Sequence, residues 1–352
     1  MVESDLRSLK AEASPSSLSP PRISVLLPFY DAAATLPACL RSITRQTEAR
    51  WQCVAVDDGS SDAGPALVQA AAAADPRFTL LSRPHSGLVS SLNAGLAACQ
   101  GDVVARMDAD DLMHRERLGV QLATLDASPE LAAVGSRVRF FPRSALGAGT
   151  RRYEAWLNGL GDPDSVGRDA FVECPIAHPS LMIRTAILQK FGYRDMGWPE
   201  DYDLVLRLLG SGQRLAVHPR RLLGWREGPE RLSRRGAQYT LERFTDCKAA
   251  HLAAGPLRGG DQYLLWGYGP TARALRRALA QHGKTPSHII EVHPRRLGNT
   301  IQGAPVVAPG AIPSLPAWPI VVSVSGAGPR SQIRESLVAM GLREGQRFFC
   351  AA

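Results

Sequence analysis

Asp108, Asp110 and Asp111 stand within four positions of one another in "VVARMDADDLMHRERL", directly behind an apolar run. Carboxylates this close repel one another unless a cation or a proton relieves them. Hard oxygen donors suit Mg²⁺ or Mn²⁺, ions that also engage substrate phosphates. Asp108 and Asp110, two positions apart, can hold such an ion, one directly and one through water. The competing reading makes the same acids caps of a helix that starts near Arg115. A second acidic group, Glu200, Asp201 and Asp203 in "WPEDYDLVLRLL", precedes Leu204, Val205, Leu208 and Leu209. That spacing predicts a helix with one apolar stripe and its acids around the first turn, where they match the helix dipole.

The elements that must position these groups are legible from Ile23 onward. "ISVLL", "WQCVAV", "FTLLS" and "DVVARM" alternate with helical patterns such as "AATLPACLRSI" and "LVSSLNAGLAA". Short apolar runs separated by helices predict parallel strands covered on both faces. Ligands of such sheets lie beyond the carboxyl ends of the strands. Pro28 to Asp31, Asp57 with Asp58, and Asp108 to Asp111 all fall there, so groups distant in sequence converge.

Composition excludes several classes. The chain has 352 residues, 45% of them hydrophobic, enough for two domains with their own cores. Its six cysteines form no CxxC pair, which argues against a disulfide scaffold or a zinc finger and for a reducing, cytoplasmic setting. No apolar run approaches the roughly 20 residues that cross a bilayer, and the amino terminus lacks the order of a signal peptide. The net charge of +8 favours an anionic partner: a nucleotide, a phospholipid surface at the inner face of the cell membrane, or a nucleic acid. No nucleic-acid motif or aromatic–basic interleaving supports the last.

Five blocks carry a resemblance: "SVLLPFYDAAATLPACLRSITRQT", "WQCVAVDDGSSD", "GLVSSLNAGLAACQGDVVARMDADDLMHRERLGVQL", "CPIAHPSLMIR" and "FGYRDMGWPEDYDLVLRL". In this order and spacing they resemble the inverting family 2 glycosyltransferases, in particular the bacterial branch that decorates surface polysaccharides and lipid-linked glycans. The resemblance implies a GT-A nucleotide-sugar-binding domain, mainly parallel in its sheet. It implies that Asp108 and Asp110 are the DxD pair holding Mn²⁺ or Mg²⁺ on the donor diphosphate, with Asp111 supporting the loop beside the pocket. Asp57 or Asp58 would meet the base or ribose, and Pro28, Tyr30 and Asp31 would pack the base. For Tyr30 a plain strand-end aromatic is the alternative.

Asp201 matches the family's catalytic base, and Glu200 would orient the acceptor or tune its neighbour. For Asp203 the surface-acid reading stands equally. An inverting transfer needs one base near the acceptor hydroxyl and no covalent sugar–enzyme intermediate. Many family members carry Arg where this chain has Leu92, before Asn93, so Arg106 or Arg226 would compensate at the diphosphate. His178 borders the donor and acceptor pocket in the family; a structural histidine is the competing reading. The run "RRLLGWREGPERLSRR", with Trp225 and Arg226, reads either as a solvated face or as a loop that closes over the diphosphate or meets an anionic lipid surface.

Beyond the Gly-containing junction at 254–261 a second strand–turn–helix pattern begins in "YLLWGYGPTARALRRALAQHG". Gly267 and Gly269 open the helix, Ala272 replaces a third glycine, and Glu291 ends the next strand, a weak dinucleotide fingerprint. The segment resembles nucleotide-binding-like domains attached to some sugar acetyltransferases and C-methyltransferases, which implies a regulatory or acceptor-positioning module. The expectation is therefore an α/β protein: a mobile leader over 1–21, a GT-A domain over 22–253, a linker over 254–261 and a smaller Rossmann-like domain over 262–352. Its activity would be hexosyl transfer from a nucleotide-diphosphate donor, UDP-linked, to a glycan or lipid-linked acceptor. A non-catalytic nucleotide-sugar sensor is the main rival.

Overall fold

The computed structural model describes residues 20–229 and 231–352. Most of the expected leader, residues 1–19, lies outside the described residues. Eight strands form the first sheet: β1 (Ile23–Phe29), β2 (Trp51–Asp57), β3 (Phe78–Ser82), β4 (Val103–Arg106), β5 (Leu112–Met113), β6 (Leu131–Phe141), β7 (Met182–Arg184) and β8 (Arg214–Arg226). Their order is β3-β2-β1-β4-β7-β6-β8-β5. The first four are parallel to one another, as the helical crossovers require, whereas β7 runs antiparallel to both β4 and β6. Pro28 sits in β1 beyond Leu26, the last residue paired with β4, so its missing N–H interrupts no bond to that neighbour.

Each face of this sheet has its own core. One gathers Val25, Leu27, Cys53 and Ala55 with Leu36, Leu40 and Ile43 of the helix Leu36–Thr44. The other gathers Leu26, Val54 and Val56 with Leu92 and Leu96, and continues through Tyr202, Leu204, Val205 and Leu208 of the helix Glu200–Gly210. That helix is held by its apolar side, which leaves its acidic first turn at the sheet's carboxyl edge.

A second sheet comprises β9 (Gln262–Trp266), β10 (Thr285–Ile290), β11 (Thr300–Ile301), β12 (Ala304–Val307), β13 (Ile320–Val322) and β14 (Phe348–Cys350), in the order β11-β12-β10-β9-β13-β14. Gly267, at φ +90°, makes the turn after β9; a Cβ there would stand 2.5 Å from Val324 Cγ2. The helix Leu241–Ala254 serves both units. Its Cys247 is buried with the first core, while Ala249 and Leu252 are buried with the second. Lys248 Nζ donates to Val172 O at 3.2 Å and to Ala351 O at 2.7 Å, and Arg334 pairs with Asp169 across the same boundary. The expected boundary at 253 thus falls at the end of a helix that packs on both sides.

Candidate functional site

At the ends of β1 and β2 the acids divide into clasps and an open group. Asp31, in the left-handed region at φ 45°, accepts from Ser61 N (2.8 Å), Ser61 Oγ (3.2 Å) and Asp62 N (3.3 Å). These bonds favour its ionised form and hold it below the usual carboxylate range. Asp58 accepts from Ser86 N, Gly87 N and Ser91 Oγ at 2.8–3.0 Å, and His85 Nδ1 stands 2.9 Å from its second oxygen. Its capacity is consumed in pinning the 85–91 segment. Asp57 gives one oxygen to Ser60 N (2.9 Å), and among the described residues its other oxygen accepts no hydrogen bond. Tyr30, half exposed, lies against His85 with ring centroids 4.4 Å apart. Gly59 allows this approach, because a Cβ there would meet His85 N at 2.7 Å.

Behind β4 the chain turns through the acidic triplet. Carboxylate oxygens of Asp108, Asp110 and Asp111 all lie within 4.8 Å of one another. Burial and the charge of Asp108 push Asp110 up to about 6, and Asp111 is likewise raised, by burial and the charges of Asp108 and Asp110. Asp111 is fully buried: one oxygen accepts from Arg226 N at 2.7 Å and the other has no partner among the described residues. Carboxylates left mutually strained in this way, with only oxygen donors, fit a hard divalent cation at the two part-buried members that face the cavity, Asp108 and Asp110. The cap reading does not hold. The helix behind them begins at Arg117, with Glu116 as its N-cap residue and no side-chain cap bond. Arg106 is buried beneath the triplet and ion-pairs with Asp108.

Asp108 and Asp110 share a cavity of about 580 Å³ with Glu200, Asp201, His178 and Trp225. Desolvation dominates the acids here. Glu200 is pushed up to about 7 by burial and by the Asp201 charge, and Asp201 to about 6 by burial, with Glu173 adding to the rise. The backbone amide of Tyr202 donates to Asp201 at 2.7 Å and fixes the carboxylate in the first turn. His178 is buried, and desolvation with the nearby Arg106 charge keeps it neutral. Its Nε2 lies 3.1 Å from Tyr193 Oη and its Nδ1 faces Glu200 Oε1 at 3.7 Å, beyond hydrogen-bond distance, so it stands beside the acid pair and belongs to no metal-ligand group among the described residues. Asp203 is no surface acid. It is buried, bonded to Arg207 Nε (2.7 Å) and 3.0 Å from His251 Nε2.

The basic run splits in two. Arg226 does not line the cavity; its Nε donates to Asp110 O at 2.7 Å and its guanidinium sits 4.6 Å from the Phe141 ring, bracing the acidic turn from behind. Trp225 stacks on Phe140 at 4.7 Å and carries Arg231 over its other face at 4.6 Å. Arg231 and Arg234 reach the cavity, both paired with Glu227 (3.4 and 2.8 Å). With Arg106, which is ion-paired to Asp108, they bring positive charge to the cavity where Arg226 does not.

The structure therefore brings together Arg106, Asp108, Asp110, His178, Glu200, Asp201 and Trp225 in one cavity. Pro28, Tyr30, Asp31, Asp57 and Asp58 form a separate cluster at the β1 and β2 ends, and Asp111 with Arg226 lies behind the wall. Sequence reasoning passed over Glu173, Arg231, Arg234 and Tyr239. The arginines belong to the basic run already noted, and their alternation with Glu227 was the available signal. Tyr239 Oη donates to Glu200 Oε2 at 2.6 Å, a contact that no local pattern announces.

Comparison with known proteins agrees with this arrangement. The glycosyl transferase family 2 profile matches residues 24–191. The chain is 30% identical over 221 residues to the amylovoran biosynthesis glycosyltransferase AmsE of Erwinia amylovora, covering 61% of this chain and 80% of that one. It is 28% identical over 230 residues to the putative glycosyltransferase EpsE of Bacillus subtilis, covering 64% and 80%. Its fold is similar to that of S. aureus TarS 1-349 in complex with UDP-GlcNAc, with a TM-score of 0.55 at 15% identity over 74% of this chain and 71% of that one. It is also similar to the mannosyltransferase PcManGT of Pyrobaculum calidifontis in complex with GDP-Man and Mn²⁺, with a TM-score of 0.53 at 19% identity over 95% and 84%. A cavity with acidic pairs on two elements, on a sheet of this order and with these relatives, leaves one assignment: the chain belongs to glycosyltransferase family 2 and is a glycosyltransferase.

Proposed function

We propose that the chain transfers a sugar from a nucleotide-diphosphate donor, UDP-linked, to a glycan or lipid-linked acceptor, with inversion at the anomeric carbon. The observation that carries this reading is the single cavity that joins Asp108 and Asp110 to Glu200 and Asp201. Asp201 takes the proton of the acceptor hydroxyl as its oxygen bonds to the anomeric carbon. The bond from that carbon to the diphosphate breaks, and its electron pair departs with the nucleoside diphosphate. Asp201, lifted to about 6, is ionised at neutral pH yet basic enough to accept the proton. Arg231 and Arg234, released from Glu227, meet the charge that develops on the leaving group. Asp108 and Asp110 would hold a divalent cation, which when bound would neutralise further charge on the diphosphate. Asp57, Asp31 and Tyr30 are groups at the β1 and β2 ends with capacity left for the nucleoside.

The names of the relatives support a role in bacterial polysaccharide synthesis. No helix among the described residues is long and apolar enough to cross a membrane. A lipid-linked acceptor would then be met at the bilayer surface. Three exposed apolar side chains, Leu241 (81% accessible), Met196 (51%) and Leu232 (47%), lie in the segments that border the cavity, among Arg194, Arg234 and Arg243. Co-sedimentation with anionic vesicles tests that contact.

The reaction is tested by incubating the protein with UDP-GlcNAc or GDP-mannose, with Mn²⁺ or with chelator, and measuring free UDP or GDP together with thermal stabilisation. Metal-dependent stabilisation and slow donor hydrolysis are expected. Stabilisation without turnover, even with acceptor extracts, would favour the sensor reading, and no response to any nucleotide sugar would sink both.

A further inference from the structure

Glu200 is buried against groups from four elements. Asp201 is its neighbour on the same helix, His178 Nδ1 faces its Oε1 at 3.7 Å from the turn before β7, Arg106 contributes its charge from the end of β4, and Tyr239 Oη donates to Oε2 at 2.6 Å. With His178 held neutral, Tyr239 is, among the described residues, the one side chain that gives Glu200 a short hydrogen bond. A phenol donating to a carboxylate makes a charge-assisted bond and favours the ionised form.

The backbone that carries Tyr239 is firmly placed. Thr240 caps the helix Leu241–Ala254 by accepting from Arg243 N at 3.4 Å. That helix packs on the Glu200–Gly210 helix, where His251 Nε2 lies 3.0 Å from Asp203 Oδ1. The first turn of the acid-bearing helix is thus held at Glu200 by Tyr239 and at Asp203 by His251, both from one continuous segment that leads into the second sheet.

We infer that Tyr239 is a positioning residue of the transfer reaction: it orients Glu200 and eases the ionisation of that carboxyl beside Asp201. With the phenol in place Glu200 ionises more easily than it would without it. Without it the proton stays on Glu200 to higher pH, the carboxyl rotates free of its anchor, and the pair's upper titration moves in the alkaline direction. Loss of a hydrogen bond to a charged group should move that titration by roughly one to two pH units.

The inference rests on the reading of Glu200 and Asp201 as an acid–base pair, and its test has one arm that needs no turnover. Melting temperature is measured from pH 5 to 9 for the wild type, Tyr239→Phe, Glu200→Gln and the double variant. Glu200 is raised in the folded state, so its stabilising effect is complete below its unfolded value and is lost as pH rises through the folded value of about 7. Tyr239→Phe should therefore lose little at pH 5 and progressively more toward pH 8, and this pH dependence should vanish in the Glu200→Gln background. The second arm is the pH profile of donor hydrolysis with Mn²⁺: a Glu200 that keeps its proton to higher pH repels Asp201 less, so the acid limb set by Asp201 should move down in Tyr239→Phe while donor affinity stays within twofold. A Tyr239→Phe deficit that is flat with pH, or equal in both backgrounds, means a packing role only and overturns the inference. Absence of hydrolysis in every protein, with the melting pattern intact, would count against the transferase mechanism and leave the hydrogen bond's role standing. Should Tyr239→Phe not fold, Tyr239→His, which restores a donor at that place, is measured in the same two ways; failure of both to show pH-dependent coupling to Glu200 also overturns it.

Discussion

The two sheets place acidic residues at equivalent strand ends and treat them in opposite ways. In the first, Asp108 and Asp110 face a shared cavity, and burial and mutual repulsion raise Asp110 to about 6. In the second, Glu291 ends β10, where an acid would meet a ribose in a dinucleotide fold, but its oxygens are already occupied. Val292 N and His293 N donate to one at 2.9 and 3.3 Å, and Arg296 pairs with the other at 2.7 Å. The helix after Gly269 has Ala272 fully buried in place of a third glycine. Topology brings strand ends together in both sheets; chemistry requires in addition that the polar groups there lack partners within the protein.

The comparison breaks hardest at Asp201. Asp201→Asn keeps the shape and loses the proton acceptor, so turnover should fall roughly 10²-fold or more while donor affinity, measured by calorimetry, changes little. Near-normal turnover in the folded variant would move the base to Glu200. Asp108→Asn should weaken nucleoside-diphosphate binding about tenfold or more in Mn²⁺ and only slightly in chelator; equal weakening under both conditions would deny the triplet its ion. Arg231→Ala should cost severalfold in turnover with Asp57 and Tyr30 intact, and a concave salt dependence of donor binding should flatten with it. The wild-type rate should rise from pH 5 toward pH 8, because the raised Asp201 and Glu200 must lose a proton before one of them can accept another. At the opposite extreme, Glu291→Gln should leave donor binding and hydrolysis unchanged and lower stability by about 1 kcal/mol, read from the melting midpoint. A loss of activity in that variant would show that the second sheet takes part in the reaction.

Much of this was legible in the chain. Period and turn residues marked β1 to β4, and the acids that end them were visible as breaks in apolar runs. The resemblance added the pairing of Asp108 and Asp110 with Asp201. What stayed hidden was which acids already had partners. Asp57 and Asp58 are adjacent and alike in sequence, yet Asp58 is consumed by the 85–91 segment some 30 positions away, as its bonds to Ser86, Gly87 and Ser91 show. Arg226 and Arg231 are equally basic, but the twist of β8 and the turn after it send one behind the wall and the other into the cavity. Asp203 reads as one more acid of a first turn, and only the packing of a helix 40 positions later buries it. Such long-range satisfaction leaves no local periodicity to detect.

The double allegiance of the helix Leu241–Ala254 bears on how such proteins can be recombined. A protein engineer or a recombination event that exchanges everything after residue 254 inherits the faces of Ala249, Leu252 and Lys248, shaped to a sheet that is no longer there. An exchange before Tyr239 instead removes His251 and Tyr239 from the acid-bearing helix. Neither cut is neutral, so the carboxyl-terminal module and its transferase are expected to be inherited as one unit, with this helix drifting in sequence only where both partners drift with it.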